Sequence, residues 1–178
     1  MAITRLGPNQ LLNLANNVTG TLPTGNGGTG ATSFTAGKLL QFVNQEEQTS
    51  FVTNSSSAVD SGINVSITPT ATNSKILLTT NFITRTAGNT YCSFYVYRQI
   101  NGGGYSELDQ LEIGWHYYIN ETISTTFYSK KIDTTHNTTN QIDYKIYCHV
   151  QGGGGNMSIL IDNAHNLGNF SAMEIGAW

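Results

Sequence analysis

The sequence of 178 residues has little charge: Lys, Arg, Asp and Glu make up 11% of it, against about 25% in an average soluble domain. Its basic residues are scattered and the net charge is −3. This argues against nucleic-acid binding, which needs clustered Lys and Arg. No stretch approaches the ~18 apolar residues that span a bilayer, and residues 1–13 do not have the pattern of a signal peptide. We therefore expect synthesis in the cytoplasm without a signal peptide, and no membrane insertion.

Cysteine and histidine are also scarce. Cys92 and Cys148 lie in apolar runs without C-x-x-C spacing, and the four histidines provide no ligand pairs at short spacing. The sequence therefore predicts no metal site. It favours buried, reduced thiols, although a disulfide stays possible if the two strands are neighbours.

Motifs of catalysis are missing as well. The chain contains no G-x-S-x-G, H-E-x-x-H or P-loop sequence, so we expect no enzyme activity and no cofactor. Glu107, Asp109 and Glu112 lie close together in the sequence. Paired carboxylates cleave glycosidic bonds, so a glycan-cleaving enzyme remains a remote alternative.

Thr, Asn, Ser and Gly take the place of charge, and from residue 38 onward apolar residues alternate with period two between turn signals. This pattern predicts an all-β sandwich or barrel, with a jelly roll as the favoured version. The predicted strands are 38–43 and 48–53 (a hairpin around 44–47), 63–67, 76–83, 91–100, 111–119, 121–132, 141–150, 157–161 and 170–178.

The predicted strand 91–100 has two different faces. One carries Cys92, Phe94, Val96 and Ile100, and the other carries Tyr91, Tyr95 and Tyr97. Tyrosine is enriched in interfaces because its ring can be buried while its hydroxyl stays hydrogen-bonded. The three tyrosines are therefore candidates for a subunit interface, and a tyrosine ladder on an exposed sheet face is the alternative.

The first 37 residues differ from the rest. Residues 1–17 include a short predicted helix at 8–17, with Pro8 in its first turn and a small face of leucines. An isolated helix of this length is not stable in water, so its apolar face needs a partner. Residues 18–37 are rich in Gly and Thr and predict an extended stalk, followed by a β-sandwich head at 38–178.

The segment 22–32 reads Leu-Pro-Thr-Gly-Asn-Gly-Gly-Thr-Gly-Ala-Thr. It resembles the L-P-x-x-N-G-G-T-G-A-T signature of phage tail fibres and related virion fibre proteins. The resemblance implies a homotrimer in the virion, a collar at this segment, an attachment end that contacts other virion proteins, and a jelly-roll head like that of tumour necrosis factor. A flexible Gly/Thr linker is the alternative interpretation.

A fibre head of this kind is expected to bind the host surface, either a glycan or a protein. Counting strand reversals from Lys38 places the loops 70–73, 101–109, 133–140 and 163–169 together at the far end of the head. Loops on a rigid scaffold commonly carry binding residues, and the candidates are Tyr105, His136, Asn137, His165 and Asn166. A purely structural virion component, such as a head fibre or capsid decoration protein, is the alternative.

Overall fold

A computed structural model describes residues 39–47, 49–87, 90–114, 122–152, 155–161 and 168–176, which form ten strands and no helix. The predicted helix at 8–17 and the Gly/Thr-rich stretch 18–37 lie outside the described residues. The strands are β1 (Leu39–Glu47), β2 (Phe51–Thr53), β3 (Val59–Ile67), β4 (Lys75–Ala87), β5 (Tyr91–Ile100), β6 (Ser106–Gly114), β7 (Thr122–Asp133), β8 (Ile142–Gly152), β9 (Met157–Leu160) and β10 (Gly168–Ile175).

The strands form two antiparallel sheets. Sheet A contains β1, β10, β4, β9 and β2 in that order, with β7 on the other edge of β4, and sheet B has the order β3-β8-β5-β6. Within this arrangement the first strand pairs with the last, the second with the ninth, and so on inward to β5 with β6. A long hairpin rolled across two sheets in this way is a jelly roll. The predicted all-β jelly roll is thus confirmed.

The core lies between the two sheets. Period-two alternation places Ile142, Tyr144, Ile146, Cys148 and Val150 of β8 inward, as predicted, and all five are buried. Three phenylalanines join the sheets at the centre. The ring centroids of Phe82 on β4 and Phe94 on β5 are 5.3 Å apart, and Phe127 on β7 lies 4.8 Å and 4.5 Å from these two rings.

The predicted hairpin at 38–53 is wrong. β1 pairs with β10 and β2 pairs with β9, while β9 and β10 both run antiparallel to β4 along the same edge. β1 and β2 therefore run in one direction, as do β9 and β10. The polar residues 44–47 that predicted a turn belong to β1, where strand pairing is needed on one side only.

The observed strand pairing places three of the four predicted loops at the end of the sandwich opposite to the predicted one. Leu39 pairs with Ile175, which pairs with Lys75, so β1 begins beside the loop 68–74. The loop 134–141 lies at this same Leu39 end, because Asp133 pairs with Ile76. The loop 101–105 lies there too, because Asn101 N donates a 2.9 Å hydrogen bond to Gln141 O. The prediction that these loops lie opposite Lys38 is therefore wrong.

The fourth loop of that group, 163–169, is predicted to lie with the other three, but its described residues are separated from them. Asn169 pairs with Asn81 in the middle of β4, so the start of β10 lies away from the Leu39 end. The strand count failed here because β9 and β10 are successive strands in one direction and not a reversal.

Candidate functional site: the tyrosine face of sheet B

The outer face of sheet B, which we call the tyrosine face, brings together aromatic residues from separate parts of the chain. It is built from outward side chains of β5 and β8, with polar side chains of β3 and β6 on either side. Strand register sets Tyr95 beside Tyr147 and Tyr97 beside Lys145. The members are Asp60, Asn64, Ser66, Tyr91, Tyr95, Tyr97, Gln99, Tyr105, Glu107, Asp143, Lys145, Tyr147 and His149.

The rings of this face pack against one another in a ladder. Tyr97 and Tyr147 stack with centroids 4.0 Å apart, and Tyr95 and His149 stack at 5.3 Å. Tyr105, which precedes β6, lies 6.4 Å from Tyr147 in a tilted arrangement. The tyrosine ladder is thus present, and it is formed by Tyr95, Tyr97, Tyr105, Tyr147 and His149.

Tyr91 is the first residue of β5 and packs against the β8 backbone. Its register partner is Gly152, and a Cβ at position 152 would lie 3.5 Å from Cδ2 of the Tyr91 ring. The absence of a side chain at Gly152 therefore lets the ring lie close to the β8 backbone.

Lys145 is neutralised within the face. Its Nζ donates a 2.6 Å hydrogen bond to Oδ2 of Asp60 and lies 4.9 Å from the centroid of the Tyr105 ring. The bond to Asp60 raises the pKa of Lys145. Burial raises the pKa of Tyr97, and the Glu107 carboxylate acts in the same direction. The Tyr97 hydroxyl therefore stays protonated at neutral pH and can both donate and accept hydrogen bonds.

The structure separates the residues predicted to bind a receptor. Tyr105 belongs to the tyrosine face, whereas Asn137 lies exposed in the loop 134–141 with a left-handed φ of 46°. His136 is only 3% exposed, so its ring points into the protein. His165 and Asn166 lie outside the described residues.

His136 holds two loops together at the Leu39 end. Its Nε2 lies 2.8 Å from Ser74 O, and its Nδ1 lies 3.1 Å from Thr138 O. Ser74 Oγ in turn donates to Glu174 Oε1 at 2.7 Å. A serine nucleophile needs a histidine nitrogen that accepts its proton. Ser74 Oγ lies 3.5 Å from Nε2 of His136, farther than the 2.7 Å to Glu174 Oε1 and the 2.8 Å to Ala71 O. The shorter bonds hold Ser74 within the loop 68–74 and fasten that loop to β10.

Glu174 is a buried anchor for the loop 68–74. Its Oε1 accepts hydrogen bonds from Thr70 N at 2.8 Å and from Ser74 Oγ, and its Oε2 accepts from Gln41 Nε2 at 2.8 Å. Burial alone would raise the pKa of Glu174, but these hydrogen bonds outweigh it and the pKa is lowered.

Asp133 is a second buried anchor, at the start of the loop 134–141. Nη1 of Arg98 donates to both of its carboxylate oxygens at 2.9 and 2.8 Å, and Tyr144 Oη donates at 2.8 Å. Burial would raise the pKa of Asp133, but the bonds from Arg98, Thr135 and Tyr144 lower it overall.

Two acidic residues of β6, Glu107 and Asp109, have different neighbours. Asp109 forms an ion pair with Lys131 of β7, whereas Glu107 lies opposite Tyr97. A cleft of about 180 Å³ next to them has walls that include Lys131 and Asp133, and both charges are already paired. Over the described ranges, no three His, Cys, Asp or Glu side chains are placed to hold a metal ion. No helix in those ranges is long and apolar enough to cross a membrane.

Sequence reasoning found part of this site. Alternation within 141–150 placed Asp143, Lys145, Tyr147 and His149 outward, but it did not show that this strand lies beside Tyr91, Tyr95 and Tyr97. The outward residues of β5 and β8 lie side by side because the two strands are paired. The alternation within one strand does not show which strand is its neighbour.

Comparison with known proteins gives limited results. No family model and no curated protein matches the chain. Among solved structures, it is similar to infectious bursal disease virus, Gt strain (11% identity, TM-score 0.43, covering 78% of this chain and 39% of that chain). It is also similar to the VP2 subviral particle of that virus (9%, 0.43, 77% and 42%) and to Eiger TNF from S. frugiperda (10%, 0.35, 77% and 95%). The chain spans about two fifths of the length of the viral chains.

Proposed function

We propose that the chain is a subunit of a homotrimeric phage virion fibre whose jelly-roll head binds a host-surface glycan during adsorption. The observation that carries this proposal is the tyrosine face, a ladder of ordered aromatic rings bordered by hydroxyl, amide and carboxylate groups. The collar-like segment 22–32 supports the assignment to a virion fibre. Residues 1–17 are then the part that contacts other virion proteins.

The stacking of the rings in the free protein favours ligand binding. A side chain that is immobilised on binding costs about 0.5–1.5 kcal/mol in lost freedom. Tyr97 and Tyr147 already stack on each other. Less side-chain entropy is therefore lost when a ligand binds to them. Tyrosine combines a rigid apolar ring with a polar hydroxyl, which matches the C–H and O–H groups of a sugar.

The charges favour a neutral ligand. Lys145, the cation of this face, is paired with Asp60, so it does not offer a site for an acidic sugar or a nucleic acid. Glu107, Asn64 and Ser66 are exposed at the border. Their carboxylate, amide and hydroxyl groups can exchange hydrogen bonds with the hydroxyls of an uncharged glycan.

The test is adsorption of the purified full-length chain to host cells. We expect Tyr97→Ala/Tyr105→Ala to lower binding at least tenfold, and Tyr97→Phe/Tyr105→Phe, which keeps the stack and removes the hydroxyls, to lower it less. The control is Asn137→Gly, which tolerates the left-handed φ and removes the side chain of the loop 134–141. We expect the control to bind normally.

Each outcome decides between functions. Loss of binding only in the control would move the site to the loop 134–141. Unchanged binding in every variant would favour a purely structural virion component. Loss of binding that a host-cell glycosidase does not reproduce would favour a protein receptor over a glycan.

A further inference from the structure

The outer face of sheet A carries a row of apolar side chains, one from each of four neighbouring strands. Phe42 of β1 pairs with Met173 of β10, Met173 pairs with Leu77 of β4, and Leu77 pairs with Ile132 of β7. We call these four residues the apolar row. Directly opposite residues share one face of a sheet, so the row crosses from one edge of sheet A to the other.

The row is exposed at both of its ends. Phe42 is 56% exposed and Ile132 is 48% exposed. Among the described residues, every exposed large hydrophobic side chain lies on a strand of sheet A, and the tyrosine face has none. Clustered exposed apolar residues of this kind mark interaction surfaces.

A polar row borders the apolar row on the side away from the Leu39 end. Two residues further along each strand lie Asn44, Ser171, Thr79 and Lys130, connected by the same register. Thr79 Oγ1 and Ser171 Oγ are hydrogen-bonded at 2.6 Å. An apolar centre next to a polar margin is the usual composition of a protein–protein interface. This pattern favours a protein partner.

The position of the row points to a second copy of the chain as that partner. Leu39, which is also exposed, is the first residue of β1 and lies at the same end as the row. The stretch before it contains the collar-like segment. If three copies of that segment meet at an axis, β1 of each copy is the first strand to leave it.

The charges at the two edges are complementary. Glu46 is exposed on β1, and Lys130 is exposed on β7 at the opposite edge. By register, both side chains point to the outer face, in adjacent rows. In a cyclic oligomer two different edges of the subunit meet, so this pair could form between neighbouring copies.

We propose that three copies of the chain pack through the apolar row, with the β1 edge of one copy against the β7 edge of the next. This inference rests on the proposed homotrimer and gives it an interface. It replaces the predicted interface through Tyr91, Tyr95 and Tyr97, whose rings have partners within their own sheet. The tyrosine face then points away from the axis and stays open to the host surface.

The experiment measures the mass of the full-length chain in solution. We expect three times 19.3 kDa for the natural sequence and 19.3 kDa for Phe42→Glu/Ile132→Glu, because unpaired charges in an interface are costly. Both side chains are half exposed, so the fold should survive, as circular dichroism would show. The matched control, Asn64→Glu, adds a charge to the exposed border of the tyrosine face and should leave the trimer intact.

A charge exchange tests the edges without touching an apolar residue. Lys130→Glu should shift the mass toward monomer, and the addition of Glu46→Lys should restore the trimer. A trimer that survives Phe42→Glu/Ile132→Glu, or one that dissociates with Tyr95→Ala/Tyr97→Ala, would overturn the proposal. So would a failure of the charge exchange, or a monomer of the natural sequence.

These results separate the interface from the function. Loss of adsorption by Tyr97→Ala/Tyr105→Ala at unchanged mass supports the binding face alone. Loss of assembly by Phe42→Glu/Ile132→Glu supports the interface, and adsorption should fall with it because multivalent contact is lost. A trimer that assembles as proposed but does not adsorb contradicts the binding function and leaves the interface standing.

Discussion

The two cysteines show what strand alternation can and cannot predict about a residue. Cys92 and Cys148 were expected on inward faces, and both are fully buried free thiols. Their strands were then found to be neighbours, with Cys148 opposite Phe94 and Cys92 opposite Val150. The burial of His136 could not be predicted in this way, because the residue lies in the polar segment 133–140 without apolar neighbours in sequence. Its burial depends on the loop 68–74, which comes from a distant part of the chain.

We predict that neither thiol reacts in the folded protein. Burial raises the pKa of Cys92 to about 11 and that of Cys148 to about 12, and the thiolate is the reactive form. A thiol reagent at pH 8 should modify two cysteines per chain in denaturant and none without it. Rapid modification of the folded chain, or a Cys92–Cys148 bridge in non-reducing mass spectrometry, would contradict this.

Replacing either cysteine with Ala should cost about 1 kcal/mol of unfolding free energy.

At the scale of the element, the sequence predicted strands better than the connections between them. The strand 91–100 and the strand 141–150 were found nearly as predicted, because both have one apolar face in strict alternation. The first two strands are also present, but the polar stretch 44–47 predicts a turn, whereas it forms the end of β1. An edge strand tolerates such residues, and its partner, β10, is too far along the chain for a local pattern to reveal it.

β3 contains an irregularity with a clear requirement for glycine. The register with β8 shifts between Asp60 and Asn64, and Gly62 within this stretch has a φ of 84°. Gly62→Ala should lower the unfolding free energy by about 1–2 kcal/mol, since a Cβ is disfavoured in that conformation. Urea unfolding measures the change. Gly104→Ala is the control, because Gly104 lacks a positive φ and has open space where a Cβ would be. Equal stability of the two variants would contradict the argument.

For the whole molecule, period-two patterns determine which face of each strand is buried. They do not determine which strands pair with one another. The strand pattern therefore favours a jelly roll among sandwiches and barrels without showing its topology, and the resemblance of the segment 22–32 to virion fibre proteins points to the same fold. The apolar residues on both faces of the strand 76–83 were a further signal. They predicted burial on two sides, whereas Leu77 is only partly buried and belongs to the apolar row.

The fold should weaken in acid. The pKa values of Asp133 and Glu174 are lowered in the folded chain, so their contribution to stability is present above the unfolded values, about 4. It is lost as pH falls through the folded values. The melting temperature should be steady from pH 7 to about 5 and drop below about 4. Glu174→Gln should melt lower at pH 7 and show a smaller drop in acid. A wild-type melting temperature that is constant down to pH 2.5 would contradict this prediction.

The nested pairing of the strands also bears on synthesis at the ribosome. β1 is among the first parts of the head to emerge, yet its partner β10 is made after all the other strands. The apolar row draws Phe42 from β1 and Met173 from β10, so an unfinished chain has only part of it. If copies pack through the apolar row as proposed, they can recognise one another only after translation has reached β10. Under that proposal, products truncated before β10 would lack the completed surface and would not join the trimer.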